Sequence, residues 1–252
     1  MSTRNCIAGL LLLSPLLTIT VSSLAADCPR LERDVALHLE SSRVAAEQEG
    51  VFEDVFEASR SGLEQCPNAE TLWYGLIRAG ELGFGQFPIS IPSRRILDEV
   101  EAASEAASRI PRSVRIATVL ARQQKTLDSA RTAFAINPAY VPARVALAAA
   151  LVRSGHPSEA IELLREKKAR AHDAVRGVHE TRAQALLALG FPAKAVVEAR
   201  RELRSTWADE SEPFPVAAAR REAEEMLRRA LIADRRGNEA ARLVSPVMAL
   251  PR

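Results

Sequence analysis

Large aromatic side chains are scarce in this chain: two Trp, two Tyr and seven Phe, 4% of 252 residues. Sheet-on-sheet folds fill their interiors with such rings and with β-branched residues. Here alanine dominates the apolar share, and no stretch alternates Val, Ile, Thr and aromatics with a period of two. Strands are therefore not expected, and small side chains that let helices approach closely point to an all-α fold. Histidine is sparse too. His38, His156, His172 and His179 are scattered and stand apart from cysteine. His179-Glu180 opens like a zinc-protease motif, but Ala183 stands where the second histidine is needed, so no metal centre is expected. There is no Gly-x-Ser-x-Gly elbow, no phosphate-cradling glycine loop and no Ser-x-x-Lys. The carboxylates are expected to pair with arginine along helices, as in Arg221–Glu225 and Glu224–Arg228. Neither catalysis nor a cofactor is expected.

Residues 1–25 have a character of their own. Arg4 precedes an apolar run from Ile7 to Val21, followed by Ser22-Ser23-Leu24-Ala25. That is the pattern of a secretory signal peptide cleaved after Ala25, and about 15 apolar residues are too few to span a bilayer comfortably. Asp27 before Cys28 argues against lipidation. An exported chain keeps two cysteines, Cys28 and Cys66, in a compartment that permits disulfides. Cys28 lies just before the first expected helix and Cys66 just after the second, so an antiparallel hairpin brings them side by side. A bridge there would remove roughly 3–4 kcal/mol of unfolded-state entropy; the alternative is two separate thiols.

The net charge of +2 conceals an asymmetry. Residues 26–110 carry eight arginines against 16 acids, and residues 111–252 carry 25 basic residues against 16 acids. Only four of the 34 basic residues are lysines, which reads as a compositional habit.

Helical patterning and breakers divide the chain as follows: Leu31–Glu49 with Val51–Gln65, Ala69–Leu82, an irregular insert over 83–93, Arg94–Arg109, Val114–Gln123 with Leu127–Ile136, Tyr140–Arg153 with Pro157–Lys168, Asp173–Leu189 with Pro192–Ser205, then Val216–Arg235 and a tail from Asn238 to Leu250. Gly155-His156-Pro157 returns as Gly190-Phe191-Pro192. At that offset of 35 residues, Ala148, Ala150, Leu151 and Ala160 meet Ala183, Ala185, Leu186 and Ala195. Self-similarity at such a period marks a repeat array.

This pattern resembles the tetratricopeptide repeat (TPR) family. Leu147, Ala148, Leu151, Gly155 and Ala160 fit its helix-packing positions. Ala133, Phe134, Ile136, Asn137 and Pro138 fit the end of a second helix, and Leu63, Pro67, Trp73 and Leu76 fit another junction. Three features depart from the pattern. Pro67 to Pro111 spans 44 residues because of the 83–93 insert, Pro111 to Pro138 spans 27, and the unit from Arg176 lacks an early aromatic. The resemblance implies a right-handed superhelical α-solenoid of five to six antiparallel helix pairs over 26–252, with capping helices at 216–250.

In such arrays the first helix of each pair lines a concave groove. This nominates Tyr74, Arg78, Val145, Ala149, Val152, Arg153, Glu180, Gln184 and Leu187. The Lys/Asn clamp for a partner's C-terminal carboxylate is missing, which disfavours that partner class. Phe84, Phe87, Ile89 and Ile91 of the insert either fold back over helix ends or form a hydrophobic hook. Arg221, Arg228, Arg229, Arg235 and Arg236 recur as a basic stripe on the last long helix, which is either a solvated face or a site for an acidic partner or anionic polymer. The expected function is an exported, periplasmic, non-catalytic scaffold for protein partners; the alternative is an adaptor for an anionic envelope polymer or lipid, using the basic C-terminal half. No nucleic acid partner is expected, nor a membrane span once the leader is removed.

Overall fold

Glycine, proline and capping hydroxyls set the helix boundaries. The computed structural model describes residues 27–41, 51–84, 94–165, 175–205 and 216–243; the leader, and Phe87, Ile89 and Ile91 of the insert, lie outside them. Residues 27–41 form α1. There follow α2 (Val51–Gln65), α3 (Glu70–Phe84), α4 (Arg94–Arg109), α5 (Val114–Gln124), α6 (Leu127–Ile136), α7 (Val141–Arg153), α8 (Pro157–Leu163), α9 (Val178–Ala188), α10 (Pro192–Arg204), α11 (Val216–Ala233) and α12 (Gly237–Arg242). The described chain is all-α.

Local chemistry explains the starts. Ser113 Oγ accepts the Ile116 N–H to open α5, and Thr126 Oγ1 accepts the Ser129 N–H to open α6. Prolines 142, 157 and 192 sit in the first turns of α7, α8 and α10, where a missing N–H costs nothing. Trp73 Nε1 donates to the Pro67 carbonyl at 2.8 Å, fixing the turn from α2 into α3. Glu32 of α1 accepts the Thr71 N–H at 3.3 Å, so α1 helps to cap α3.

Consecutive helices pack as pairs, and the first helices α3, α5, α7, α9 and α11 also pack on one another in succession. The second helices α4, α6, α8 and α10 each lie against the first helices before and after them. The result is a two-layered α-solenoid. Its buried side chains form three main clusters along the stack. Val35, Val55, Leu72, Ile77 and Ile116 centre the first, and Ala143, Leu147, Ala148, Ala160 and Val178 the second. Ala183, Val196, Met226 and Leu231 centre the third. Small residues stand where helices cross. At Gly75 of α3 an added Cβ would sit 2.5 Å from both Ser59 Oγ and Val35 Cγ1, closer than real contacts allow, so α1, α2 and α3 meet only because that side chain is absent.

Cys28 and Cys66 are joined, with Cα atoms 5.8 Å apart, and close the α1–α2 hairpin. Cys28 lies inside α1 rather than before it, because Pro29 is tolerated in a first helical turn. Other boundaries also move. Helix α3 continues to Phe84. Helix α8 stops at Leu163 and does not reach Lys168. Helix α9 begins at Val178 instead of Asp173, because Gly177 takes a left-handed φ of 85° and its N-terminal amides are capped from outside the helix. Helix α11 ends at Ala233, two residues before Arg235, which itself turns left-handed.

Candidate functional site

The ends of the first helices give the inner layer a register. Lys125 (φ 55°), Gly155 (82°), Gly190 (78°) and Arg235 (61°) are all left-handed. After the last three the same hydrogen bond recurs: His156 N–H to the Leu151 carbonyl at 2.9 Å, Phe191 to Leu186 at 2.9 Å, and Arg236 to Leu231 at 2.8 Å. This is the helix-ending motif that glycine favours and that here accepts an arginine. It identifies α11–α12 as a pair built like the two before it. Three residues before each left-handed position stand Arg122, Val152, Leu187 and Ile232; seven residues further back stand Arg115, Val145, Glu180 and Glu225.

The nominated groove residues divide by burial. Tyr74 has no exposed surface, with the Arg115 guanidinium 3.9 Å from its ring centroid. Arg78 is only 7% exposed. Val145 is buried at the seam between α7 and α9, where a Cβ on Gly177 would lie 3.4 Å from its Cγ1. These three belong to the interior, Tyr74 and Val145 because the next repeat covers them. Ala149, Val152, Glu180, Gln184 and Leu187 are half-buried and Arg153 is exposed, leaving an accessible band on α7 and α9. Ile232, not nominated from the sequence, extends it onto α11 and is 53% exposed.

A buried polar cluster supports the α9 part of that band. Glu202 of α10 is 1% exposed and accepts the N–H groups of Gly177 at 2.9 Å, His179 at 3.1 Å and Glu180 at 3.2 Å. A carboxylate on the neighbouring helix thus caps the positive end of α9. One turn earlier, Glu198 meets His179 Nδ1 at 2.8 Å, Arg201 at 2.8 Å and Arg182 at 3.4 Å. Burial alone would raise the Glu198 carboxyl; the His179 hydrogen bond and the charges of Arg182, His179 and Arg201 outweigh it and hold it below its ordinary value. Glu180 behaves oppositely. Burial, then the like charges of Glu202 and Glu222, raise it, against the opposing pull of Arg176 and a Gln184 hydrogen bond. Arg176 in turn pairs with Glu222 of α11. Glu198 and Glu202 each have at least three partners, an arrangement suited to holding helices together. Among the described residues no group of three or more His, Cys, Asp and Glu is placed to hold a metal ion.

The arginines of the basic stripe differ in their partners. Arg228 is held by Glu225, through two hydrogen bonds of 2.7 Å, rather than by Glu224. Arg236 pairs with Glu239 and Asp234 beyond the helix. Arg235 lies in the turn, so of the five stripe arginines Arg221 and Arg229 remain exposed on α11 itself, beside Arg220. Phe84 closes α3 at the edge of the insert. No helix among the described residues is long and apolar enough to cross a membrane.

Neither a family model nor a curated protein matches the sequence. A solved structure does: the crystal structure of TTC0263, a thermophilic TPR protein of Thermus thermophilus. It superposes with a TM-score of 0.52 at 18% identity, covering 76% of this chain and 98% of that one. With the paired helices and the mutually packed first helices, that likeness shows that this chain has a TPR-like helical fold.

Proposed function

We propose that the chain is an exported, non-catalytic scaffold that holds protein partners in the cell envelope, in a bacterial periplasm, on the inner face of its first helices. The observation that carries this reading is the direct packing of α3, α5, α7, α9 and α11 on one another, which leaves an accessible band of side chains on α7, α9 and α11. Ala149, Val152, Gln184, Leu187 and Ile232 give that band apolar and amide character suited to a partner segment. The TPR-like fold supports a role in protein association. Export rests on the leader pattern of residues 1–25, and the Cys28–Cys66 bridge suits an oxidising compartment. The deciding experiment is capture from a cell-envelope fraction with the purified protein, followed by in-situ cross-linking. A protein cross-linked to a residue of the α7–α11 band supports the reading; recovery of polymer without protein refutes it.

A further inference from the structure

Helices α5 and α7 differ from the other described helices in what they lack. Neither Val114–Gln124 nor Val141–Arg153 contains an Asp or Glu, yet they carry Arg115, Arg122, Arg144 and Arg153. On α11 the charges are interleaved, with Arg228 answered by Glu225 on the same helix. On α5 and α7 no described carboxylate pairs with Arg115 or Arg153. Arg115 is half-buried over the Tyr74 ring, and its Nε is buried without a hydrogen-bond partner. Arg153 reaches from α7 to the Lys125 carbonyl at 3.4 Å, just beyond the end of α5. Partial desolvation pulls its guanidinium below the ordinary arginine value.

These positions form a line. Arg115 and Arg122 are seven residues apart on α5, about 10 Å along one face at 1.5 Å per residue. Arg153 continues past Arg122, since Lys125 follows it by three residues. Beside them on α7, Ala149 and Val152 are half-buried and apolar. A partly desolvated cation without a counter-charge is unfavourable, so an incoming carboxylate both gains an ion pair and relieves an existing cost. From Arg115 to Lys125, whose carbonyl Arg153 reaches, is ten residues or about 15 Å of helix, a distance that four to five residues of an extended chain cover at ~3.3 Å per residue.

We infer that the α5–α7 face binds an extended acidic segment of a protein partner, its carboxylates pairing with Arg115 and Arg153. The inference rests on the scaffold reading and names the chemistry of the partner. The charges needed lie within the partner segment and not at its C-terminus.

The test is fluorescence anisotropy with a labelled ten-residue peptide bearing glutamates five residues apart, and a lysine counterpart as control. The glutamate peptide is expected to bind and to weaken with rising salt, while the lysine peptide does not bind. Arg153→Glu, at an exposed position, should reduce affinity by about tenfold or more, and Arg115→Glu with Arg153→Glu further. Arg221→Glu with Arg229→Glu on α11 should leave it unchanged. Equal losses from both sets, no binding of the glutamate peptide, or tighter binding of anionic polysaccharide or vesicles would overturn the inference. Envelope capture separates the two levels of claim. If wild type and Arg153→Glu retain the same protein partner, the acidic-segment inference falls and the scaffold reading stands; if neither retains one, the scaffold reading falls.

Discussion

Replacing Arg235 with glycine should stabilise the protein. Arg235 holds φ at 61° in the turn between α11 and α12, where Gly155 and Gly190 hold 82° and 78° in the equivalent turns. A side chain with a Cβ is about 1–2 kcal/mol less favourable in the left-handed region than glycine. Its side chain is exposed and makes no hydrogen bond or ion pair among the described residues, so removing it sacrifices little in the folded state. Glycine adds freedom to the unfolded chain, which returns about 0.5–1 kcal/mol. The net expectation is a gain of about 0.5–1 kcal/mol, or roughly 1–4 °C in Tm for a chain of this size. The mirror experiment is Gly155→Arg. Nothing lies within 4 Å of a Cβ there, so its effect isolates the backbone term and should be a loss of similar size. Thermal and denaturant unfolding of both variants, with the disulfide intact, measures the pair. If Arg235→Gly is neutral or destabilising while Gly155→Arg destabilises, the two turns are not equivalent and α11–α12 is not built like the pairs before it.

Four further outcomes are expected. Cys28→Ser with Cys66→Ser should lower stability by about 4 kcal/mol, from the loop closed by a bridge of sequence separation 38, and thiol titration of the denatured wild type should gain two groups on reduction. Glu180→Gln should stabilise the protein at neutral pH: the carboxyl is raised in the folded state, so ionising it opposes folding, and the advantage should vanish as pH falls and Glu180 takes up its proton. Glu198 has the opposite sign, so its contribution should be lost as pH falls through its depressed folded value, and Glu198→Gln should flatten the acid limb of the stability curve. Glu202→Ala should leave the amides of Gly177, His179 and Glu180 uncapped, cost about 1–3 kcal/mol, and speed hydrogen exchange at the start of α9 but not in α5 or α7.

What the sequence makes legible is what local chemistry dictates. Gly155-His156-Pro157 and Gly190-Phe191-Pro192 announce their turns because glycine and proline have few other uses at those positions. The turn at Arg235 is silent, since arginine gives no sign of a left-handed backbone. Cys28 and Cys66 can be paired because a helical hairpin places its two ends together. The fate of Tyr74, Arg78 and Val145 is not local: Arg115 covers Tyr74 and Gly177 closes over Val145, each from the next repeat. Glu198 and Glu202 look like solvated acids in sequence. Their spacing of four residues on the face of α10 that also buries Ala195 and Ala199 was the available signal. The arginines of α11 drew attention by number, whereas those of α5 and α7 stand out only against the absence of acids around them.

The covalent bond at one end of the stack has a consequence for how the molecule comes apart. In a linear array each unit is held mainly by its neighbours, so disassembly begins at the ends, where a unit has one neighbour instead of two. Here one end is sealed: α1 cannot peel from α2 while Cys28 and Cys66 are joined. At the other, α12 spans only Gly237–Arg242 and leans on a turn in which an arginine occupies a conformation better suited to glycine. The array therefore frays from one direction. Among the described helices, α12 and α11 should open before the stapled hairpin. Reducing the bridge would release α1 from α2 and so weaken that polarity.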